Sequence, residues 1–221
     1  YEEGKPYGEH YLYIWDGIFQ SDVDIANSPK HPNNPKPGDI KFKDLNEDGV
    51  INSEDRTMAE GAYPTMLYSF NLNFGYKDFD LSLFFQGVEG RKIWTNFFGE
   101  DPFSQGASPS KKFLDAWTPE NTDTNVPALY AGGYAPMCNT RSTYNLKDAS
   151  YLRLKNLQFG YNVPKRYLNK IGIEFLRVYF SGENLFTFTD YPDYDPERGG
   201  DGWHVQYPQA KTYSLGVNLR F

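Results

Sequence analysis

The chain contains 221 residues, with 22 Lys and Arg against 29 Asp and Glu, which gives a net charge of −7 and a pI near 5.0. This acidic balance disfavours nucleic acid as a partner, because the phosphate backbone binds basic surfaces. Mean hydropathy is −0.68, and no stretch approaches the roughly 18 consecutive apolar residues of a membrane-spanning helix, so the composition excludes that class.

Alternation of apolar and polar residues predicts an all-β chain with roughly six strands. A strand places successive side chains on opposite faces, so a period of two gives one apolar and one polar face. In the second strand, Phe70, Leu72 and Phe74 fall on one face, whereas Asn71 and Asn73 fall on the other. The predicted strands span residues 8–19, 66–76, 79–88, 150–162, 173–187 and 211–221.

The connections between the predicted strands alternate between long and short. Residues 20–65, 89–149 and 190–210 form long loops, whereas Lys77-Asp78 makes a tight turn. Outer-membrane β-barrels sort their connections in this way, with long loops outside the cell and short turns in the periplasm. The pattern therefore predicts three extracellular loops and a periplasmic carboxyl terminus.

The final strand ends on an aromatic residue, Phe221. Its length matches the roughly 9–11 residues that a tilted strand needs to cross a bilayer. In a barrel of this kind, we expect the terminal aromatic strand to be the assembly signal for insertion into the outer membrane. Because a bacterial barrel needs about eight strands to close, the chain is predicted to be the C-terminal part of a larger barrel.

The sharpest motif is the acidic run from Asp44 to Asp55. Gly49, at position 6 of a calcium loop that starts at Asp44, would supply the sharp turn. Position 12 is Asp rather than the usual bidentate Glu, and no helical pattern flanks the run. Two interpretations stay open, a structural calcium ion or an acidic surface loop without an ion. The predicted ligands are Asp44, Asn46, Asp48, Val50 through its carbonyl, Asn52 and Asp55.

No catalytic constellation is visible in the sequence. His10, His31 and His204 are scattered and lie in no HExxH or nucleophile-elbow context. The acidic stretch 190–203 lacks the spacing of a metal loop, and there is no Gly-rich phosphate loop. The single cysteine, Cys138, is more typical of an inert thiol than of a nucleophile. The chain is therefore predicted not to be an enzyme.

Aromatic residues outside the predicted strands are candidates for substrate binding. Sugar rings can stack their apolar C–H surfaces on such side chains. The alternative for each residue is packing within a loop or in the interfacial aromatic belt of a membrane protein. The candidates are Trp94, Trp117, Trp203 and Tyr207.

Four sequence blocks occur in a fixed order along the chain. They are residues 37–56 (PGDIKFKDLNEDGVINSEDR), 73–87 (NFGYKDFDLSLFFQG), 150–164 (SYLRLKNLQFGYNVP) and 176–191 (LRVYFSGENLFTFTDY), the last followed by Asp195-Pro-Glu197. Together they resemble the blocks of SusC/RagA-type TonB-linked outer-membrane proteins. The resemblance covers nearly the whole chain.

This resemblance implies a large transmembrane antiparallel β-barrel of about 22 strands around an N-terminal plug domain. Such proteins occur in Bacteroidota, lie in the cell outer membrane and import glycans or peptides with energy passed from TonB. A SusD-type surface lipoprotein is the implied partner. On this reading the chain supplies C-terminal barrel wall and lacks the plug domain, so it depends on the remaining barrel, the plug and the lipid bilayer.

Two other interpretations stay open on the residues alone. One is a different outer-membrane barrel, such as a porin or another kind of TonB receptor. The other is a soluble all-β module that uses a dockerin-like calcium loop in adhesion or protein–protein binding. Neither explains the four ordered blocks.

Overall fold

The computed structural model describes residues 3–4, 7–31, 33–95, 108–130, 140–192, 195–197 and 207–221. Within these ranges the predicted all-β class is confirmed, because strands make up most of the regular structure. The α-helices α1 (Asp22–Ala26) and α2 (Lys165–Leu168) are short. No helix in these ranges is long and apolar enough to span a membrane. The number of strands in a complete barrel stays a prediction.

The strands fall into two compact units. In chain order they are β1 (His10–Tyr13), β2 (Trp15–Ile18), β3 (Ile40–Phe42), β4 (Arg56–Ala59), β5 (Met66–Tyr76), β6 (Phe79–Glu89), β7 (Lys92–Trp94), β8 (Leu146–Asp148), β9 (Tyr151–Asn162), β10 (Phe175–Phe188) and β11 (Thr212–Arg220). The loop unit comprises Tyr1–Tyr63, Lys92–Asp148 and Gly199–Val205. The sheet unit comprises Pro64–Arg91, Ala149–Arg198 and Gln206–Phe221.

The sheet unit is one antiparallel sheet of five long strands in the order β11-β10-β9-β6-β5. The register places apolar residues opposite one another, as in the pair Leu72 and Leu83. Aromatic rings therefore stack across neighbouring strands, with Phe70 and Phe85 at a centroid distance of 4.8 Å. Such cross-strand pairs stabilise a sheet and fix its register. The result is one aromatic face and one polar face.

A β-bulge in β9 keeps these two faces distinct. The register with β6 shifts between Asn156 and Leu154, which leaves Lys155 without a partner residue on that strand. Leu154 consequently faces Phe85 on the apolar side, and Arg153 moves to the polar side. Strict alternation from Leu157 would instead have placed Arg153 on the apolar face.

A salt bridge spans three strands on the polar face. The Arg177 guanidinium on β10 donates to the Asp80 carboxylate on β6, with Nε 3.1 Å from Oδ1. The strand between them carries Gly160 directly opposite Asp80. A Cβ at Gly160 would fall 2.5 Å from the Arg177 side chain, so glycine lets the bridge cross this strand without shifting either charged group.

In the loop unit, residues 8–19 do not form the single barrel strand that their alternation predicts. That segment forms β1 and β2, which pair with β4 and β3 in two separate two-stranded sheets. Gly17 adopts φ +104°, a conformation that favours glycine and interrupts the alternation. The predicted loops 20–65 and 89–149 also contain short strands, among them the β7–β8 pair.

The core of the loop unit is an aromatic and aliphatic cluster. Tyr13 stacks on Phe42 with ring centroids 4.9 Å apart, and Ile40 and Ile51 pack in the same cluster. His31 lies against Phe42 at a centroid distance of 5.3 Å. Its Nε2 atom is buried and has no hydrogen-bond partner among the described residues. Burial lowers the pKa of His31 to about 4, from an ordinary value of 6.5.

We expect the loop unit to lose stability between pH 6.5 and pH 4 because of His31. In that window the unfolded chain binds a proton that the folded chain does not, so stability is complete above the window and falls through it. The full effect is about 3 kcal/mol. Hydrogen exchange of the Ile51 amide, which donates to the Lys30 carbonyl at 3.0 Å, would report it in the full-length protein. Parallel pH curves for wild type and His31→Gln would contradict this expectation.

Candidate functional site

The acidic loop 44–55 is ordered by hydrogen bonds from its own backbone. The two Asp44 oxygens accept from the amides of Glu47 and Gly49, both at 2.8 Å. Asp48 Oδ1 accepts from the Val50 amide at 2.8 Å. Gly49 has φ +81°, as expected for the residue that makes the turn. The side-chain oxygens (Oδ1) of Asn46 and Asn52 accept in the same way from the backbone amides of Asp48 and Glu54.

Asp55 closes the loop as a buried carboxylate with 0% exposure. Its oxygens accept from the backbone amides of Leu45 and Asn52 at 2.9 and 2.7 Å. Burial acts to raise the pKa of Asp55, but these amide donors outweigh it and hold the pKa below its ordinary value. Asp55 thus joins the two ends of the loop.

Three of the ligands predicted for the loop are carboxylates, those of Asp44, Asp48 and Asp55. Among the described residues, which include the whole of 44–55, no group of three His, Cys, Asp or Glu side chains is arranged to hold a metal ion. The carboxylates of Asp44, Asp48 and Asp55 instead accept from backbone amides. Each carboxylate oxygen retains a further lone pair, so the donor chemistry still suits a hard cation.

The predicted aromatic residues occupy different environments. Trp94 is 6% exposed, and the Arg141 guanidinium lies 5.0 Å above its ring. Trp117 is 8% exposed. It packs on Gly38, where a Cβ would fall 2.7 Å from the indole. In this arrangement neither indole offers an open face to a ligand.

The two remaining aromatic candidates are Tyr207 and Trp203. Tyr207 is 90% exposed in the sheet unit. Trp203 lies outside the described residues. The predicted assembly residue, Phe221, follows the last residue of β11 and is exposed.

A buried ionic network, which sequence reasoning did not find, fastens the segment 195–197 to β9. The Arg153 guanidinium, 3% exposed, lies 2.7 Å from Asp195 Oδ1 and 2.7 Å from Glu197 Oε2. Lys155 adds a second cation 2.6 Å from Glu197. Asp195 also accepts from the backbone amide of Gln209 at 2.7 Å, so it holds together two points of the chain that flank residues outside the described ranges.

The pKa of Asp195 reflects this environment. Burial acts to raise it, but the hydrogen bond from Arg153 and the amides of Gln209 and Glu197 hold it below its ordinary value. The only signal in the sequence was the Asp-Pro-Glu tripeptide, which gives no indication of its partners 42 residues away. The network depends on the bulge that turns Arg153 to the polar face.

The wall of an outer-membrane β-barrel is an antiparallel sheet of this kind, with one exposed aromatic face and one polar face.

No protein-family model matches the chain. The chain is 35% identical to TonB-dependent receptor P3 of Formosa agariphila, over 99% of this chain and 22% of that protein. It is 28% identical to TonB-dependent receptor SusC of Bacteroides thetaiotaomicron, over 85% of this chain and 18% of that protein.

Solved structures agree with these relatives. The chain matches the RagAB peptide transporter with a TM-score of 0.74 and 28% identity, covering 96% of this chain and 23% of the other. It matches the closed-closed state of the RagAB peptide importer with a TM-score of 0.76, covering 100% of this chain and 24% of the other. The chain belongs to the SusC/RagA-type TonB-dependent outer-membrane receptors and spans about a fifth of the curated relatives' length. This similarity disfavours the soluble calcium module.

Proposed function

We propose that the chain is part of an outer-membrane importer of the SusC type, which takes up glycans or peptides with energy supplied by TonB. The observation that carries the proposal is the two-faced sheet in a chain whose relatives are TonB-dependent receptors. The similarity to the solved RagAB peptide importer supports a role in import. The similarity to SusC supports a SusD-type surface lipoprotein as the partner. The remaining barrel, the plug domain and TonB would complete the transporter.

In this proposal the sheet unit is a portion of the barrel wall. The aromatic face, with Phe70, Leu72 and Phe74, contacts lipid, and the face with Asn71 and Asn73 lines the lumen. The tight β5–β6 turn, the β9–β10 connection and the end of β11 lie at the same end of the sheet. That end is periplasmic, and the long connections are extracellular.

Substrate contacts are proposed on the extracellular side. Tyr207 is the candidate whose ring is open to a ligand in the described structure. Trp94 and Trp117 would contribute only after their covering side chains move, and Trp203 completes the proposed set. Stacking on such rings would suit the apolar faces of sugars or peptide side chains.

Uptake measurements test this function. Cells that express the full-length receptor should accumulate labelled oligosaccharides or oligopeptides, and deletion of TonB or collapse of the proton gradient should abolish accumulation. The binding of the same label to the cell surface should survive both treatments. Accumulation that is unaffected by TonB would contradict the importer assignment.

We also propose a structural calcium ion in the loop 44–55, from the spacing of its oxygen donors. Binding requires the carboxylates of Asp44, Asp48 and Asp55 to turn towards a common point. The ion would bind at 2.3–2.6 Å, the range typical of calcium, to the six predicted ligands Asp44, Asn46, Asp48, Val50, Asn52 and Asp55. Its role would be to fix the shape of the loop.

Calorimetry on the full-length receptor tests the ion. We expect calcium to bind with a dissociation constant of about 10⁻⁴–10⁻³ M, as in extracellular modules, and to slow hydrogen exchange within 44–55. Asp44→Asn with Asp48→Asn should abolish both effects. Glu47→Gln removes a charge from the same loop at a non-ligand position and should preserve them. Equal binding by the double variant, or no binding by wild type, would refute the site.

The terminal residue gives another expected outcome. Deleting Phe221 or replacing it with Asp should reduce the amount of full-length receptor in the outer membrane several-fold, because we propose that assembly factors recognise the terminal aromatic strand. Phe221→Tyr keeps the ring and should insert normally. Surface protection assays and heat-modifiable gel mobility would measure insertion. Normal surface levels of the deletion variant would count against this role.

A further inference from the structure

A polar cavity of about 540 Å³ lies within the loop unit, between β2 and the segment 115–126. Its volume is in the range of small-molecule sites, about 300–1,000 Å³. Gly17 and Gln20 form one wall, and Thr122 and Asn125 belong to the other. Among the described residues, no aromatic side chain lines this cavity.

Hydrogen bonds from two tryptophans that do not line the cavity hold its lining residues in place. The Trp117 indole donates from Nε1 to Gln20 Oε1 at 2.8 Å, and the Gln20 amide donates to the Ile18 carbonyl at 3.0 Å. The Trp15 indole donates to the Gly17 carbonyl at 2.8 Å. Both tryptophans therefore fix lining atoms while their rings stay out of the cavity. Trp117, one of the candidates for stacking on a substrate, acts in this arrangement as a positioning residue for Gln20.

Among the described residues, four exposed lining side chains have polar atoms that face solvent rather than a protein partner. Asp16, Thr122, Asp123 and Asn125 have no side-chain hydrogen bond or ion pair within the described part of the chain. Together they offer two carboxylates, one hydroxyl and one amide. They form a mixed wall of acceptors and donors around an open volume.

The chemistry of the wall selects its ligand. Anions are disfavoured, because within the described residues Asp16 and Asp123 have no cationic partner, and the lining cation Lys41 is 3.2 Å from Asp24. Apolar ligands are disfavoured, since they would leave the polar atoms of the wall without partners. Hydroxyl groups match the wall, because they donate to carboxylates and both donate to and accept from Thr and Asn side chains.

We propose that this cavity is a binding site for a neutral oligosaccharide, held by hydrogen bonds from its hydroxyl groups to Asp16, Asp123 and Asn125. As a substrate site it rests on the proposed import function and narrows its cargo to sugars, but the binding itself does not require transport. Gln20, fixed by Trp117, supplies the rigid wall against which the sugar sits.

Saturation-transfer NMR on the full-length receptor tests the site. The receptor is held in a detergent without sugar headgroups and mixed with cellotriose, laminaritriose, mannotriose and isomaltotriose. We expect transfer to at least one trisaccharide. Asp16→Asn combined with Asp123→Asn keeps the shape of the wall but removes both charged acceptors, and it should weaken binding about tenfold or more. Asp190→Asn removes an exposed carboxylate that does not line the cavity and should leave binding unchanged.

The other outcomes separate failure of the sugar site from failure of the import function. No transfer to any of the four sugars, or equal transfer in the double variant and wild type, removes the sugar site. Binding of trilysine that depends on Asp16 and Asp123, without sugar binding, assigns the cavity to cations instead. TonB-dependent uptake is measured on the same variants. Sugar binding without uptake counts against the importer and leaves the site standing, whereas uptake without sugar binding at the cavity overturns the site alone.

Discussion

Replacing Arg153 with methionine should lower the free energy of unfolding by about 3–5 kcal/mol, the cost of breaking a buried ion pair from one side. Methionine fills much of the same space, so the cost comes from charge rather than from a void. The Asp195 carboxylate, now without its guanidinium partner, would stay buried with only amide donors. Removal of Arg153 should also raise the pKa of Asp195, since the guanidinium is one of the groups that lower it.

Urea unfolding of the full-length receptor in lipid vesicles would measure this effect. Arg220→Met is the matched control, because Arg220 pairs with Glu174 at 3.0 Å on the surface, where such pairs contribute at most about 1 kcal/mol. Combining Arg153→Met with Asp195→Asn should recover part of the loss, since it removes the orphaned charge. A cost for Arg153→Met no larger than that of Arg220→Met would contradict the buried network.

Arginine at Leu72 should cost about 2–4 kcal/mol if the residue lies near the bilayer midplane, because its charge would face hydrocarbon. Leu72 lies near the middle of the eleven-residue strand β5 and opposite Leu83 on the aromatic face. Arginine at the adjacent Asn71 would point to the lumen and should be tolerated. The comparison changes only the face, since both variants add the same side chain to the same strand.

Vesicle unfolding of the two variants gives the readout. A large difference between Leu72→Arg and Asn71→Arg supports a membrane-facing aromatic surface. Similar damage at both positions would overturn the face assignment, and damage confined to Asn71→Arg would reverse it.

The faces of β5 could be predicted because alternation is a local property of the chain. The faces of β9 could not be predicted as far as Arg153, because the bulge at Lys155 appears only in the register with β6. The bridge between Arg177 and Asp80 joins residues 97 apart, so no spacing in the sequence indicates it. Gly160 in the intervening strand makes sense only once that pairing is known.

The same distinction applies to the candidate sites. The backbone hydrogen bonds of the loop 44–55 follow from Asp and Asn at alternate positions, which favour such local contacts wherever they occur. The cavity in the loop unit combines residues near 16–20 and 41 with residues near 115–126, a meeting that only tertiary structure provides. Trp117, a candidate for substrate binding with packing within a loop as the alternative, is buried against Gly38.

The most direct test of the transporter assignment is an experimental structure of the full-length protein purified from the outer membrane. We expect the edge strands β5 and β11 to pair with further strands, closing a barrel whose detergent or lipid belt covers Phe70, Leu72 and Phe74. A particle in which β5 or β11 remains a free sheet edge, or in which the aromatic face packs against protein away from any membrane, would contradict the assignment.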